Sequence, residues 1–468
     1  MTTRHVRALG LAMLLFAAAC DEVTPTEGLP PTIDAQLRQS LQQWSVVPIG
    51  AMPQQSPALV TLGQALMFDK VLSGNRDISC ATCHQPSEHA ADGLSLAIGT
   101  GGTGLGPSRT LGPGRQFVPR NSPSLLNTGL GLFFVFWDGR ISQFGQGLGV
   151  FETPAGSALP SGLPNVLAAQ AMFPVTNRRE MRGEPGDLDV FGNPNELAQF
   201  GDSQWVEMWH AVMQRLLAIP EYVTLFNAAF PGTPMNQLGF EHAATAMAVF
   251  QMAAATKTNS PFDRYLARND GALSAEAKRG ALLFFGTPGT PGLPPPPRSE
   301  ARCASCHSGP FLGGGQFANT GAPQLGPGVG AAAPLDLGRG ELFNNVPFYR
   351  FAFRVTPLRN VELTAPYFHD GAYATLEAVV RHYNDVPRAL RGFDVSQLAP
   401  VVRDQYHGDA ATIDSILATL DFRVQAPLNL TDREIADLVA FLKSLTDPAA
   451  RDLSALVPAR VPSGLPVQ

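Results

Sequence analysis

Four of the five cysteines in this 468-residue chain fall in two copies of one pentapeptide. The first is CATCH, with Cys80, Cys83 and His84; the second is CASCH, with Cys303, Cys306 and His307. C-x-x-C-H is the attachment signature of c-type haem. The two thiols add to the haem vinyl groups, and the next residue then lies beneath the iron, where an imidazole nitrogen can bind it. The alternatives are a zinc site or a pair of disulfides, and a second copy of the whole pentapeptide favours haem. Two covalently bound haems are expected, with His84 and His307 as proximal ligands.

The fifth cysteine sits at the end of an export signal. Arg4 and Arg7 precede an apolar run from Ala8 to Ala19, and small residues lead to Cys20. That run is too short to span a bilayer. It resembles a bacterial lipoprotein signal, with cleavage before Cys20 and lipid on its thiol. The reading is therefore a periplasmic protein on a lipid anchor: residues 1–19 signal, 20–33 tether. No later stretch is apolar enough for a membrane span. The net charge of −6 argues against nucleic acid as a partner. With 46 glycines and 41 prolines, long ordered loops are expected.

Each haem motif follows a similar segment. LVTLGQALMFDKVLSG (59–74) precedes the first and LSAEAKRGALLFFG (273–286) the second. Both lead through a small residue to a leucine–phenylalanine pair, as one unit used twice: helix, loop, haem motif. Thr431-Asp-Arg-Glu434 is a capping box opening a helix with Ile435, Leu438, Val439 and Leu442 on one face. A helix over 236–256 joins the halves. Strand patterns are scarce. The expected fold is mainly α: two cytochrome-c-like haem domains packed together, with long loops. The expected boundaries are 34–258 for the first domain, 259–450 for the second and 451–468 for a tail. The Pro-rich stretch 287–300 and the Gly/Ala-rich stretch 313–334 read as filler insertions.

Function turns on the far side of each iron. Two strong ligands make an electron-transfer centre; one leaves a position for oxygen chemistry. All eleven methionines lie at or before Met252, so the second haem has no local methionine. Its candidates are His369, His382, His407, a few tyrosines, Lys443 or water. Leu376, Val379, Val380 and Tyr383 share one helical face, which puts Tyr383 on a buried stripe and His382 off it.

TPLRNVELTAPYFHDGAYATLEAVVRHY (356–383), VPRNSPSLLN (118–127) and FWDGR (136–140) resemble the bacterial di-haem cytochrome c peroxidase family. With both haem motifs they keep that family's order over most of residues 60–445. The resemblance implies that the helix after APYFHDG delivers the second axial ligand, at Tyr383. Tyrosine there resembles the MauG-type branch, whose members oxidise a protein substrate. In gated members a loop histidine blocks the first iron; the matching position here is Thr100. His89 lies five residues past His84, and five extended residues reach about 17 Å at most, so it reads as a loop residue. The resemblance further implies a carboxylate acid–base residue, Glu180 with Glu152 second, and a tryptophan between the haems, Trp137. Asp138 and Arg140 organise the turn, and Arg354, like Arg359, suits a haem propionate. A calcium ion is implied between the domains, held by Asn121 and the carbonyls of Thr364 and Pro366.

The leading expectation is a peroxidase reducing hydrogen peroxide to water, with electrons from a small cytochrome c or copper protein. The alternatives are a MauG-type oxidase of a protein side chain, a non-catalytic di-haem electron-transfer cytochrome, or a membrane-tethered redox sensor. A homodimer is compatible with each.

Overall fold

A computed structural model describes residues 32–143, 150–286 and 303–467. The signal, Cys20, nearly all of the tether and the Pro-rich 287–300 stretch lie outside the described residues. The fold is mainly helical. The described strands are short: a small sheet of Phe134–Val135, Ile141–Gln143 and Phe151–Glu152, and the pair Phe317–Ala318 with Phe353–Arg354.

The repeated segments become the same device twice. Helix Pro57–Phe68 crosses helix Phe240–Ala254 at Gly63, where a Cβ would lie 2.0 Å from the Ala246 carbonyl oxygen. Helix Ala275–Phe285 crosses helix Asp432–Ser444 at Gly280, where a Cβ would lie 1.9 Å from the Asp437 carbonyl oxygen. Only glycine admits backbones that close. In both helices the glycine is followed by L-x-F, as GQALMF and GALLFF. Those rings enter the two cores: Phe68 meets Phe250 edge-on at 6.4 Å, and Phe285 meets Phe441 at 5.6 Å. The Thr431–Glu434 capping box forms as the sequence predicts.

The chain ends cross. Helix Ile33–Gln43 packs on the second core, burying Leu37 and Leu41 there. Trp44 Nε1 donates to the Phe285 carbonyl at 2.6 Å, and Asp34 accepts from Tyr265 and Lys278. The tail instead packs on the first core, where Val461 is buried. Asp69, fully buried at the end of helix Pro57–Phe68, accepts from Tyr222 OH (2.9 Å), Ser463 Oγ (2.6 Å) and the Ser463 amide (3.1 Å). Residues 34–43 therefore pack across the expected boundary. Contiguous domain limits miss this because hydrophobic periodicity gives a helix its apolar face and not its partner.

A buried ionic cluster joins the halves. Arg120 donates to both oxygens of Asp336 (2.6 and 2.9 Å) and to Asp138 (2.7 Å). Asp138 also accepts from Arg140 Nε at 3.0 Å. Backbone bonds run beside it: the Asn121 amide to the His369 carbonyl and the Arg354 amide to the Trp137 carbonyl, each 2.7 Å.

Asp69→Ala strands the Tyr222 hydroxyl in the core and releases the tail. The expected cost is about 2–3 kcal/mol, read as a lower denaturant midpoint of the holoprotein with its haem content unchanged.

Candidate haem sites

In the first motif, Cys80–Cys83 forms one helical turn and the His84 amide donates to the Cys80 carbonyl at 3.0 Å. In the second, Cys303–Ser305 forms a tighter turn and the His307 amide donates to the Cys303 carbonyl at 2.8 Å. Each turn places both thiols and the imidazole together. Burial pushes both imidazoles down to about 4, so each is neutral at pH 7. His84 Nδ1 lies 3.3 Å from the Ala90 carbonyl oxygen, and His307 Nδ1 lies 3.0 Å from that of Leu312. A carbonyl can only accept, so Nδ1 carries the proton and Nε2 keeps a lone pair for a metal.

Burial pushes the thiols of Cys80 and Cys303 up to about 12. No group of three or more His, Cys, Asp or Glu stands in metal-binding geometry among the described residues. The donor set is thus two neutral thiols and one imidazole per motif, which fits haem.

A cavity of about 210 Å³ adjoins the second motif. Cys303, Cys306 and His307 line it with Tyr383, Trp137 and Arg354, among apolar walls from Val379, Val380 and Leu438. The Arg354 guanidinium is buried, its Nη1 has no protein partner, and burial lowers its pKa to about 10. Its Nε donates to the Phe136 carbonyl at 3.2 Å, and the unpartnered Nη1 beside the second motif fits a propionate. Arg359, paired with it in the sequence reading, is instead bound by Asp263 and the Pro310 carbonyl. Tyr383, on helix Leu376–Asn384, lies in the cavity with its hydroxyl pKa raised by burial.

Of the other candidates, Tyr367 and His369 also line the cavity, whereas His382, His407 and Lys443 do not. His382 is buried as well, contrary to the simple stripe, with Nδ1 2.8 Å from Tyr373 OH and Nε2 2.8 Å from the Thr320 carbonyl oxygen. His407 Nε2 is 2.8 Å from the Gly326 carbonyl oxygen, and Lys443 is exposed. His369 lines the cavity but stacks on Phe353 at 3.5 Å. The Gly/Ala-rich 313–334 stretch is not filler: Ala318, Thr320 and Ala322 line the cavity. Low complexity hid this, because small residues are what a wall against a flat ligand needs.

At the first motif, Glu180 sits in a π-helical turn, Arg178–Arg182, with i→i+5 bonds from Arg182 to Asn177 and Gly183 to Arg178. Such turns recur at functional sites. Burial pushes its carboxyl up to about 7, against the pull of Arg140 and Arg120. Its charge acts on both Cys80 and Cys83, which sets it beside the first motif. Glu152, the second candidate, is exposed on a sheet strand and accepts from Ser142 at 3.3 Å. Thr100 is buried and its hydroxyl donates to Asp77 at 2.7 Å. His89 Nδ1 is 3.2 Å from the Ala450 carbonyl oxygen, tied to the other half of the chain. Trp137 Nε1 donates to the Asn121 carbonyl at 2.9 Å. Its ring lines the second cavity, while Arg140, three residues on, acts on Glu180 at the first motif.

For the expected calcium ligands, Asn121 Nδ2 donates to the Leu94 carbonyl at 2.6 Å, leaving Oδ1 as its acceptor face. Pro366 packs near Gly371, whose carbonyl accepts from Ser95 Oγ at 3.0 Å. Sequence reasoning missed Arg120, although it stands in a quoted motif; an isolated arginine in a Pro- and Ser-rich stretch gives no sign of a buried partner 216 residues away.

The family model for di-haem cytochrome c peroxidase matches residues 57–271. The chain is 30% identical to methylamine utilization protein MauG of Methylorubrum extorquens, over 95% of this chain and 96% of that one. It is 28% identical to cytochrome c551 peroxidase of Pseudomonas aeruginosa, over 81% and 85%. Among solved structures, a MauG-like protein associated with microbial copper homeostasis superposes with a TM-score of 0.56 at 24% identity, covering 87% of this chain and 95% of that one.

Replacing Cys303 and Cys306 together with alanine halves the covalently bound haem, measured by pyridine haemochrome on the denatured, washed protein.

Proposed function

The chain belongs to the di-haem cytochrome c peroxidase family, and on that footing we propose that it reduces hydrogen peroxide to water with electrons from a small redox protein. The observation that carries this reading is the asymmetry of the two motifs. The second has a tyrosine in its cavity; the first has a carboxylate whose pKa burial brings to about 7. Bound haem would supply a redox-active iron at each motif, able to react with peroxide.

The chain's residues then have distinct work. His84 and His307 would each hold a haem iron through Nε2, while Nδ1 keeps its proton on a backbone carbonyl. Deprotonated Glu180 takes the proton from one peroxide oxygen and returns it to the other, which leaves as water. The two electrons and two further protons of the full reduction complete two waters per peroxide. Trp137, at the edge of the second cavity, offers an indole path for electrons toward the first site. Tyr383, in the wall of the second cavity, would hold the iron of a haem bound there as an oxygen donor that favours the ferric state. Arg354 Nη1 binds a propionate.

A calcium ion between the halves is part of the proposal, on Asn121, Thr364 and Pro366. It is supported by Asp370, a fully buried carboxylate near Pro366 whose Oδ2 has no protein partner. Export to the periplasm and a lipid on Cys20 complete it. Among the described residues no helix is long and apolar enough to cross a membrane. Tyr383 and the MauG relative favour one second reading, oxidation of a protein side chain; it predicts slow peroxide turnover with reduced cytochrome c.

The test is steady-state peroxide reduction against pH. Activity rises through about pH 7, because only deprotonated Glu180 accepts the proton. In Glu180→Gln that limb disappears and the rate falls by about 10²–10⁴, with both haems retained. A full rate and an intact limb would remove Glu180 from the role. Tyr383→Met raises the reduction potential of the second haem in a potentiometric titration; an unchanged potential removes the tyrosine from the iron.

A further inference from the structure

The segment 98–104 occupies the place of a movable gate in the resemblance, yet it is held from two sides. Arg109, buried, donates to three of its carbonyls: Ile98 (2.7 Å), Gly99 (2.7 Å) and Gly104 (2.8 Å). Asp77 takes the opposite side. Its Oδ1 accepts from Thr100 Oγ1 at 2.7 Å and its Oδ2 from the Gly101 amide at 2.6 Å. Both carboxylate oxygens are used, and Asp77 stands three residues before Cys80.

The loop in turn holds Glu180. The Thr100 amide donates to the Glu180 carbonyl at 2.8 Å. A Cβ on Gly99 would lie 1.9 Å from the Arg179 carbonyl oxygen and 2.5 Å from that of Glu180. Backbone therefore meets backbone with no side chain between. Three consecutive residues, Gly99 to Gly101, couple the π-turn to the root of the haem motif.

We propose that Asp77 and Thr100 are positioning residues for Glu180: their hydrogen bond fixes the 99–101 segment as a clamp on the π-turn and so sets where the Glu180 carboxylate stands beside the first motif. This rests on the acid–base role given to Glu180 above. A π-helical turn is rare and recurs at functional sites, and this one is met backbone to backbone by Gly99 and Thr100. The other groups acting on Glu180 are Arg140, Arg120 and the cysteines of the motif. Cys83 Sγ reaches the Ile98 carbonyl at 3.9 Å, at the start of the loop, while Arg140 and Arg120 are both held by Asp138; Thr100→Val therefore loosens the clamp without changing a charge.

The test uses the ferric holoprotein with Thr100→Val, which keeps shape and loses the hydroxyl, and Asp77→Asn, which exchanges an acceptor for a donor. Amide hydrogen exchange at Thr100 and Gly101 quickens by about tenfold or more. The pH midpoint of peroxide reduction moves down by about half a unit or more as water reaches Glu180. Thr100→Ser restores both. In a Glu180→Gln background, Thr100→Val has no further effect on peroxide cleavage. Unchanged exchange in both variants overturns the clamp, whatever Glu180 does. Quickened exchange with an unmoved midpoint overturns the link to Glu180. Should Glu180→Gln alone leave the pH limb intact, the acid–base assignment fails by itself, and the exchange rates still decide the clamp.

Discussion

Everything about the two sites depends on one buried cation. Arg120 lies between the halves with three charge-assisted bonds to two aspartates, one from each half. Burial opposes its charge, and Asp138 and Asp336 more than offset that, raising its pKa; Asp138 is held well below the ordinary carboxylate range. Such a cluster gains little over a well-packed apolar seam, but removing one partner leaves bare charge in the interior. Its value is geometric. Planar, bidentate contact with Asp336 fixes angle as well as distance. The guanidinium also lies over Phe353 at 5.6 Å, which stacks on His369 in the second cavity. On the other side Asp138 holds Arg140, which acts on Glu180. One residue thus sets the spacing between an acid and a cavity wall belonging to different cores.

Much of this was legible in the sequence, for identifiable reasons. Covalent haem attachment needs its ligands adjacent, so C-x-x-C-H is a local pattern. The repeated G-x-x-L-x-F is local too, since a helix crossing needs its glycine and its core residues at fixed offsets on one face. Tyr383 was placed by helical periodicity on the wall it occupies. The placement of Glu180 beside the first motif needed the family's order, because nothing in Asn-Arg-Arg-Glu-Met marks a buried carboxylate.

What stayed hidden is long-range pairing. Arg120 with Asp336, His89 with the Ala450 carbonyl and Trp44 with the Phe285 carbonyl join segments whose own composition is unremarkable. His382 shows a subtler limit. A one-sided stripe assumes solvent on the other side, but a helix whose His382 reaches the Thr320 carbonyl while Tyr383 lines the cavity has two buried faces. The Gly/Ala-rich stretch shows the reverse, a composition that suggests slack and packs as a wall.

The crossed ends bear on how the molecule is made. The first core lacks Val461 and the Ser463 bonds until the last residues arrive; the second lacks Leu37 and Leu41 unless the first helix is still free to reach it. Neither half can be finished and set aside while the other is synthesised. The first core closes on residues from the far end of the chain, the second on residues from the near end. Without Ser463 the buried Asp69 loses both bonds from that residue and keeps Tyr222 as a partner in the first core, while the second core still has Leu37 and Leu41.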